Sequence, residues 1–160
     1  PELVAAAYTY NPNDGKLTTN YAIDRALGVL VMQGSREGET PVVSPNTGQL
    51  RTVGSLGLGP LTDASMDISD VNNTALAAVR TAGNPKTQLH LIDLNTGKAT
   101  LLGVVADGSP LVCMGMEPWR GLVLAGCGPR APWSAGLPSA VQAHGLPACR
   151  WKWWMKRAAR

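Results

Sequence analysis

The segment VSPNTGQLRTVG at residues 43–54 recurs, without gaps, as IDLNTGKATLLG at residues 92–103. Both copies carry Asn-Thr-Gly between apolar stretches, which predicts a tight hairpin because glycine tolerates a positive φ. The offset between the copies is 49 residues. The glycines that correspond are Gly48 with Gly97 and Gly54 with Gly103.

Short apolar stretches separated by turn residues continue on both sides of this repeat. Asp14-Gly15 predicts a hairpin turn. Residues 74–81 have helix propensity, but their length and their neighbours favour a strand. Predicted strands lie at residues 3–10, 16–24, 27–34, 40–43, 49–54, 65–69, 74–81, 87–93, 99–105 and 111–116.

The period and the short strands together predict the fold class. A period of roughly 40–50 residues that contains several short strands is typical of β-propeller blades. The sequence therefore predicts an all-β fold of antiparallel sheets in propeller-blade-like repeats. About two blades are expected, which form an incomplete ring, because a closed propeller has about 4–8. An irregular C-terminal tail is expected to follow them.

Composition and charge divide the chain in two. Of 160 residues, 18 are Gly and 12 are Pro, a content that excludes a coiled coil or a helical bundle. Residues 1–118 hold seven basic and eleven acidic side chains, whereas residues 119–160 hold seven basic side chains, no acid and all five Trp. The predicted domains are thus a mildly acidic β-repeat domain, with no nucleic-acid footprint, and a basic Trp-rich tail.

The tail, residues 119–160, shows neither alternation nor a repeat. We expect a non-native extension, read out of frame or derived from a vector. The alternative is an anchor in RWKWWMKRAAR (residues 150–160), whose cations and Trp would suit a membrane surface or nucleic-acid bases. Three cysteines, Cys113, Cys127 and Cys149, form no zinc motif, and the last two are the more plausible disulfide pair.

Strong catalytic motifs are absent from the sequence. It contains no G-x-S-x-G elbow, no phosphate-binding loop and only two histidines, which excludes the HExxH type of zinc site. His90 lies between Leu89 and Leu91 in an alternating strand, on the face opposite them. A surface or rim position is expected for it. The catalytic alternative makes His90 a general base, with Asp67 as a second proton acceptor.

A cluster of oxygen-bearing side chains is a candidate calcium site. The segment DASMDISDVNN (residues 63–73) supplies carboxylates and amides, and calcium takes six to eight oxygen ligands. Capping of turns by the same side chains explains the pattern equally well. A turn at residues 69–72 would be needed to bring the acids together. The candidate ligands are Asp63, Asp67, Asp70 and Asn72.

Several of these segments together resemble a family of bacterial, usually exported, repeat domains of unknown function. They are YAIDRALGVLVMQG, TVGSLGLG, LIDLNTGKATLLG and both Asn-Thr-Gly turns, within about residues 5–117. The resemblance implies a β-propeller-like fold, a periplasmic or extracellular location, and a chain that is the C-terminal portion of a longer domain. It assigns no catalytic residue.

Two functions follow as hypotheses. The first is a non-catalytic module that binds a protein or a glycan, and its open sheet edges would allow a homo-oligomer. The second is a calcium-dependent hydrolase of acyl-homoserine or sugar lactones, by analogy with propeller lactonases. In the second, the metal would polarise the carbonyl, and a carboxylate such as Asp67 or Asp70, or else His90, would take the proton. A role led by the tail is the third and weakest hypothesis.

Overall fold

The computed structural model describes residues 1–105, 113–117 and 121–125, and this part of the chain is built of β-strands. One short 3₁₀ turn, Pro45–Thr47, is the helical element of the described residues. These residues contain no helix long and apolar enough to cross a membrane. The strands are β1 Leu3–Tyr8, β2 Asn20–Asp24, β3 Val29–Gln33, β4 Leu50–Ser55, β5 Leu61–Ile68, β6 Ala75–Thr81, β7 Asn84–Ile92, β8 Ala99–Val104, β9 Cys113–Glu117 and β10 Gly121–Ala125.

The strands form antiparallel meanders in chain order. The first sheet is β1-β2-β3-β4, the second is β5-β6-β7-β8, and β9 pairs with β10 in a third. The first two sheets are blade-like, and they form an open arrangement instead of a closed ring. The all-β prediction is therefore confirmed, including the strand at residues 74–81, which β6 represents.

The sequence repeat has a structural counterpart. β4 and β8 are the fourth strands of their sheets and lie 49 residues apart in the chain. The glycines before them share a left-handed backbone, with φ of 71° at Gly48 and 79° at Gly97. Each fourth strand is also bulged where it pairs with the third, next to Gly54 in one sheet and Gly103 in the other. The repeat therefore encodes the turn that precedes the fourth strand of each sheet and the bulge within that strand.

A second kind of turn occurs once in each of the first two sheets. Asp24 Oδ1 accepts the backbone N–H of Ala26 at 3.0 Å, and Gly28 N–H donates to the carbonyl of Asp24 at 2.9 Å. In the β7–β8 turn, Asp93 Oδ1 accepts the N–H of Asn95 at 2.8 Å, and Gly97 N–H donates to the Asp93 carbonyl. Both acids therefore stabilise turns.

The core lies between the first two sheets. It takes alternate residues from facing strands, as expected for sheets that bury one face. The first sheet contributes Tyr21, Ile23, Leu30 and Met32, and the second contributes Ala64, Met66, Ile68, Ala75, Ala77, Val79 and Ile92, with Leu56 from the connecting segment. Since each apolar side chain buried stabilises the fold by roughly 1.5–3 kcal/mol, this shared core holds the two sheets together.

Backbone contacts between glycines also join the sheets. A Cβ added at Gly54 would lie 2.0 Å from the carbonyl oxygen of Thr96 in the opposite sheet. Leu56, which follows β4, donates to the Gly28 carbonyl at 2.9 Å and accepts from Ala99 N–H at 3.1 Å. The first sheet, the connecting segment and β8 therefore meet through the main chain, which requires residues without side chains at Gly54 and Gly97.

Three details differ from the sequence-based prediction. Residues 40–43 form no strand, because Pro41 cannot donate a ladder hydrogen bond. The first Asn-Thr-Gly is consequently a turn inside a long connection and not a tight hairpin. Gly15 lacks the positive φ of a type I′ hairpin. Instead, Asn11 Oδ1 accepts from Asn13 N–H and Asp14 N–H in an Asx turn. The second strand, β2, consequently begins only at Asn20. Residues 121–125, assigned to the irregular tail, form β10.

The division at residue 118 and the nature of the remaining tail stay predictions. Cys127, Cys149 and all five Trp lie outside the described residues.

Candidate functional site

Two adjoining clefts open where the loops of the first two sheets meet. The larger, which we call the inter-sheet cleft, has a volume of about 690 Å³. Four connections line it: Thr9 and Thr19 from β1–β2, Arg36 and Glu37 from β3–β4, Asn73 and Thr74 from β5–β6, and Asp93, Leu94 and Asn95 from β7–β8. A second cleft of about 550 Å³ lies alongside and shares Arg36, Glu37 and Asn95.

Arg36 spans the space between the two sheets. Its Nη1 donates to Asn95 Oδ1 at 2.9 Å, and its Nη2 donates to the Leu94 carbonyl at 3.3 Å. Asn95 belongs to the second Asn-Thr-Gly turn. The β3–β4 connection is held at its other end by Glu39 Oε2, which accepts the Arg36 N–H at 2.9 Å and pairs with Arg51 at 2.7 Å. The guanidinium therefore forms a wall of both clefts from a fixed loop.

The floor of the inter-sheet cleft is buried and hydroxylated. Thr19 is 2% exposed, and its Oγ1 accepts the Glu37 N–H at 2.9 Å. Tyr21 is 3% exposed, and burial raises the pKa of its phenol, with the nearby Arg36 charge opposing. Because the ordinary pKa of tyrosine is already about 10, the Tyr21 hydroxyl keeps its proton at neutral pH and can donate.

The rim of the cleft is tied down by its own hydrogen bonds. Asn73, with φ of 57°, accepts the Tyr10 N–H at 2.7 Å and donates to the Tyr10 carbonyl at 2.9 Å. Hydrogen bonds from Asn95 N–H and the Thr96 hydroxyl hold the pKa of the Asp93 carboxyl below its ordinary value. The cleft is therefore largely pre-formed, as ligand sites usually are.

His90 does not occupy the expected surface or rim position. It is 2% exposed and lies on the face of the second sheet that packs against the first, in register with Ala77. It does lie on the face opposite Leu89 and Leu91, as the alternation predicts. The imidazole hydrogen-bonds to the backbone of Gln88, Nδ1 is buried without a partner, and burial lowers the pKa of the ring.

Asp67 lies on the other face of the same sheet. It pairs with Leu76, one position away from the Met66–Ala77–His90 row, so its side chain points away from His90. Asp67 Oδ1 accepts the Ile68 N–H at 2.9 Å, and Oδ2 accepts the Met116 N–H of β9. Burial raises the pKa of this carboxyl, and both hydrogen bonds oppose that shift. The sheet therefore separates the two side chains named as candidate proton acceptors.

Two of the four candidate calcium ligands, Asp67 and Asn72, accept hydrogen bonds from the backbone. The turn needed at residues 69–72 is present, since Ser69 N–H donates to the Thr74 carbonyl at 2.9 Å. However, Asn72 Oδ1 accepts the Thr74 N–H at 3.0 Å, and Asp70 is exposed. In the described ranges, Asp63, Asp67 and Asp70 do not form a group of three acids or other ligand side chains that could hold a metal ion.

Replacing Asp67 with alanine tests its link to the third sheet. The Met116 N–H would lose its acceptor, so we expect the free energy of unfolding to fall by about 1–3 kcal/mol. Urea titration measures the loss, and faster hydrogen exchange at the Met116 amide would locate it. Asp63→Ala, on the same strand, is the matched control. Equal effects of the two variants would contradict the assigned role.

Sequence reasoning missed the residues that line the inter-sheet cleft. Residues 35–39 fell between two predicted strands, and Asn95 was assigned to a hairpin turn. The Arg36–Asn95 hydrogen bond joins residues 59 positions apart, and no local pattern reports such a pair. The sequence did show a polar segment around Arg36 and a repeated turn that contains Asn95. Which residues of the two contact each other depends on how the sheets pack.

A comparison with protein families matches residues 1–115 to the Domain of unknown function DUF4394. Searches of curated proteins and of solved structures returned no match. Export and calcium dependence stay predictions. The match covers both blade-like sheets, the repeat and every residue of the inter-sheet cleft, and the chain therefore belongs to the DUF4394 family.

Proposed function

We propose that this chain is a non-catalytic binding module whose ligand site is the inter-sheet cleft. The observation that carries the proposal is the arrangement around Arg36, where four loops from two sheets meet in a cleft with ordered polar walls. Concave sites with a few fixed polar groups are the usual form of small-ligand sites. Loops placed on a rigid scaffold are also where binding residues concentrate.

The structure favours binding over hydrolysis. A general base must reach the proton that it removes, within hydrogen-bond distance or through one water. His90 is buried in the sheet-to-sheet core, and Asp67 lies on the opposite face, occupied by two backbone N–H groups. Neither residue lines either cleft. Because neither of these candidate proton acceptors faces a cleft, their placement supports a binding module over the lactonase alternative.

Amide NMR of the isotope-labelled full chain tests the proposal. A library of small polar fragments should shift amides of the four lining loops, Thr19, Glu37, Asn73 and Asn95 among them. Thr100→Trp should fill the cleft and abolish these shifts, whereas Thr62→Trp, on an exposed site of β5, should leave them unchanged. Fragment shifts confined to other surfaces would overturn the location of the site.

A separate assay tests the proposal that the chain is non-catalytic. A panel of acyl-homoserine and sugar lactones, incubated with and without EDTA, should show no turnover above the buffer rate. Hydrolysis that EDTA or Asp67→Ala removes would overturn this part of the proposal and restore the metal-dependent hypothesis.

A further inference from the structure

We propose that the ligand of the inter-sheet cleft is a neutral oligosaccharide, an inference that rests on the proposed function and adds the chemical class. Three properties of the cleft support it: the balance of charge, the kind of hydrogen-bonding groups that remain available, and the apolar surface beside them.

Charge in the cleft disfavours an anionic ligand. Arg36 is the one cation among the residues that line it, and two carboxylates, Glu37 and Asp93, share the same walls. Two of the guanidinium N–H groups already donate to Asn95 and Leu94. A carboxylate or phosphate ligand would therefore meet a committed cation and two like charges, and juxtaposed like charges are unfavourable for binding.

The carboxylates do not form a site for a cation either. Both Asp93 oxygens accept hydrogen bonds, from the Asn95 N–H and from the Thr96 hydroxyl at 2.8 Å each. Glu37 Oε1 accepts from the Asn11 amide, which leaves Oε2 as an acceptor. The neighbouring Arg36 guanidinium repels an ammonium group at this oxygen, whereas a neutral hydroxyl donor meets no such repulsion.

Hydroxyl side chains are the most frequent polar groups among the residues that line the cleft. Five of the fourteen lining residues carry a hydroxyl, and two carry a carboxamide. A hydroxyl both donates and accepts, and it rotates to suit its partner, which matches the hydroxyls of a sugar. The hydroxyl-bearing residues are Thr9, Thr19, Tyr21, Thr74 and Thr100.

Apolar surface lies beside these hydroxyls, where the C–H face of a sugar ring could pack. Leu91 is 40% exposed and lines the cleft together with Leu94 and Ala75. Leu91 is exposed although Leu89, His90 and Ile92 beside it are buried, and contact with a sugar ring would cover it. A cleft of about 690 Å³ accommodates several linked rings, since sites of roughly 300–1,000 Å³ hold drug-sized ligands.

Titration of the full chain with defined probes, followed by amide NMR and calorimetry, tests the proposal. The probes are short neutral oligomers of glucose, mannose, xylose and N-acetylglucosamine, with oligogalacturonate as the acidic probe and spermidine as the cationic one. We expect at least one neutral series to bind and to shift the amides around the inter-sheet cleft. Tyr21→Phe and Thr100→Val each remove one hydroxyl, so each should weaken binding about threefold to tenfold.

Matched controls are Tyr8→Phe and Thr62→Val, which remove hydroxyls outside the cleft and should leave the dissociation constant unchanged. Binding of neutral sugars that the cleft variants do not weaken would overturn the placement. Binding of only oligogalacturonate or spermidine in the cleft would overturn the ligand class and leave the proposed function standing. If neither the fragments nor any probe perturbs the cleft, both proposals are wrong.

Discussion

Gly54→Ala is expected to lower the free energy of unfolding by about 3 kcal/mol or more, because the added methyl group has no space. Its Cβ would lie 2.0 Å from the Thr96 carbonyl oxygen, and Gly97, whose φ is 79°, faces Gly54 at the same contact. All atoms in conflict belong to the backbone. The first sheet would have to move away from the β7–β8 turn, which opens the core shared by both sheets.

The sequence repeat supplies a control for this experiment. Gly103 is the counterpart of Gly54, at the same bulge of the outer strand, and a Cβ there would meet nothing within 4 Å. Gly103→Ala should therefore change stability by less than about 0.5 kcal/mol. Urea denaturation of both variants measures the contrast. Similar values for the two would show that the sheets do not meet at Gly54.

His90→Leu is expected to remove a pH dependence of stability. Burial lowers the pKa of His90 in the folded chain below the ordinary 6.5 of the unfolded one, so the unfolded state binds more protons as the pH falls below 6.5. Stability contributed by neutral His90 is therefore complete above pH 6.5 and is lost as the pH falls from there toward the folded-state pKa. The wild-type chain should lose stability over this range.

Leucine is apolar and similar in size to histidine, so it should fill the same space in the row with Met66 and Ala77, and the variant should fold. It also removes a buried Nδ1 that has no partner, and such a group costs about 1–3 kcal/mol. We expect His90→Leu to be as stable as wild type or more stable near neutral pH, and to lose less stability on acidification. Unfolding free energies measured along a pH series check this. Equal slopes for both chains would contradict the buried position of His90.

Local hydrogen bonds explain why much of the fold was predictable. Asp24 and Asp93 bond to N–H groups two residues ahead, and the backbone of Gly97 bonds four residues back, so each turn is encoded within a few positions. The meander adds strands in chain order, which needs no long-range information. Residues 40–43 show the limit, because Pro41 outweighs the β-rich residues around it.

The candidate site was not predictable in the same way. The alternation around His90 predicted the face of the strand on which its side chain lies, but not that the side chain is buried. The sequence of a strand does not show what packs against each of its faces. Asp67 and His90 were both named as candidate proton acceptors. They lie on opposite faces of the sheet because the register of β5, β6 and β7 sets which side chains share a face.

The amino-acid sequence alone determined the all-β class, most of the strands and the repeated turn that precedes β4 and β8, since all of these depend on contacts between near neighbours in the chain. Only the tertiary structure decided that Gly54 must be glycine while Gly103 need not be, and that Arg36 reaches Asn95 across the inter-sheet cleft. The physical reason is the packing of one sheet on the other, which brings together atoms whose separation along the chain leaves no local trace.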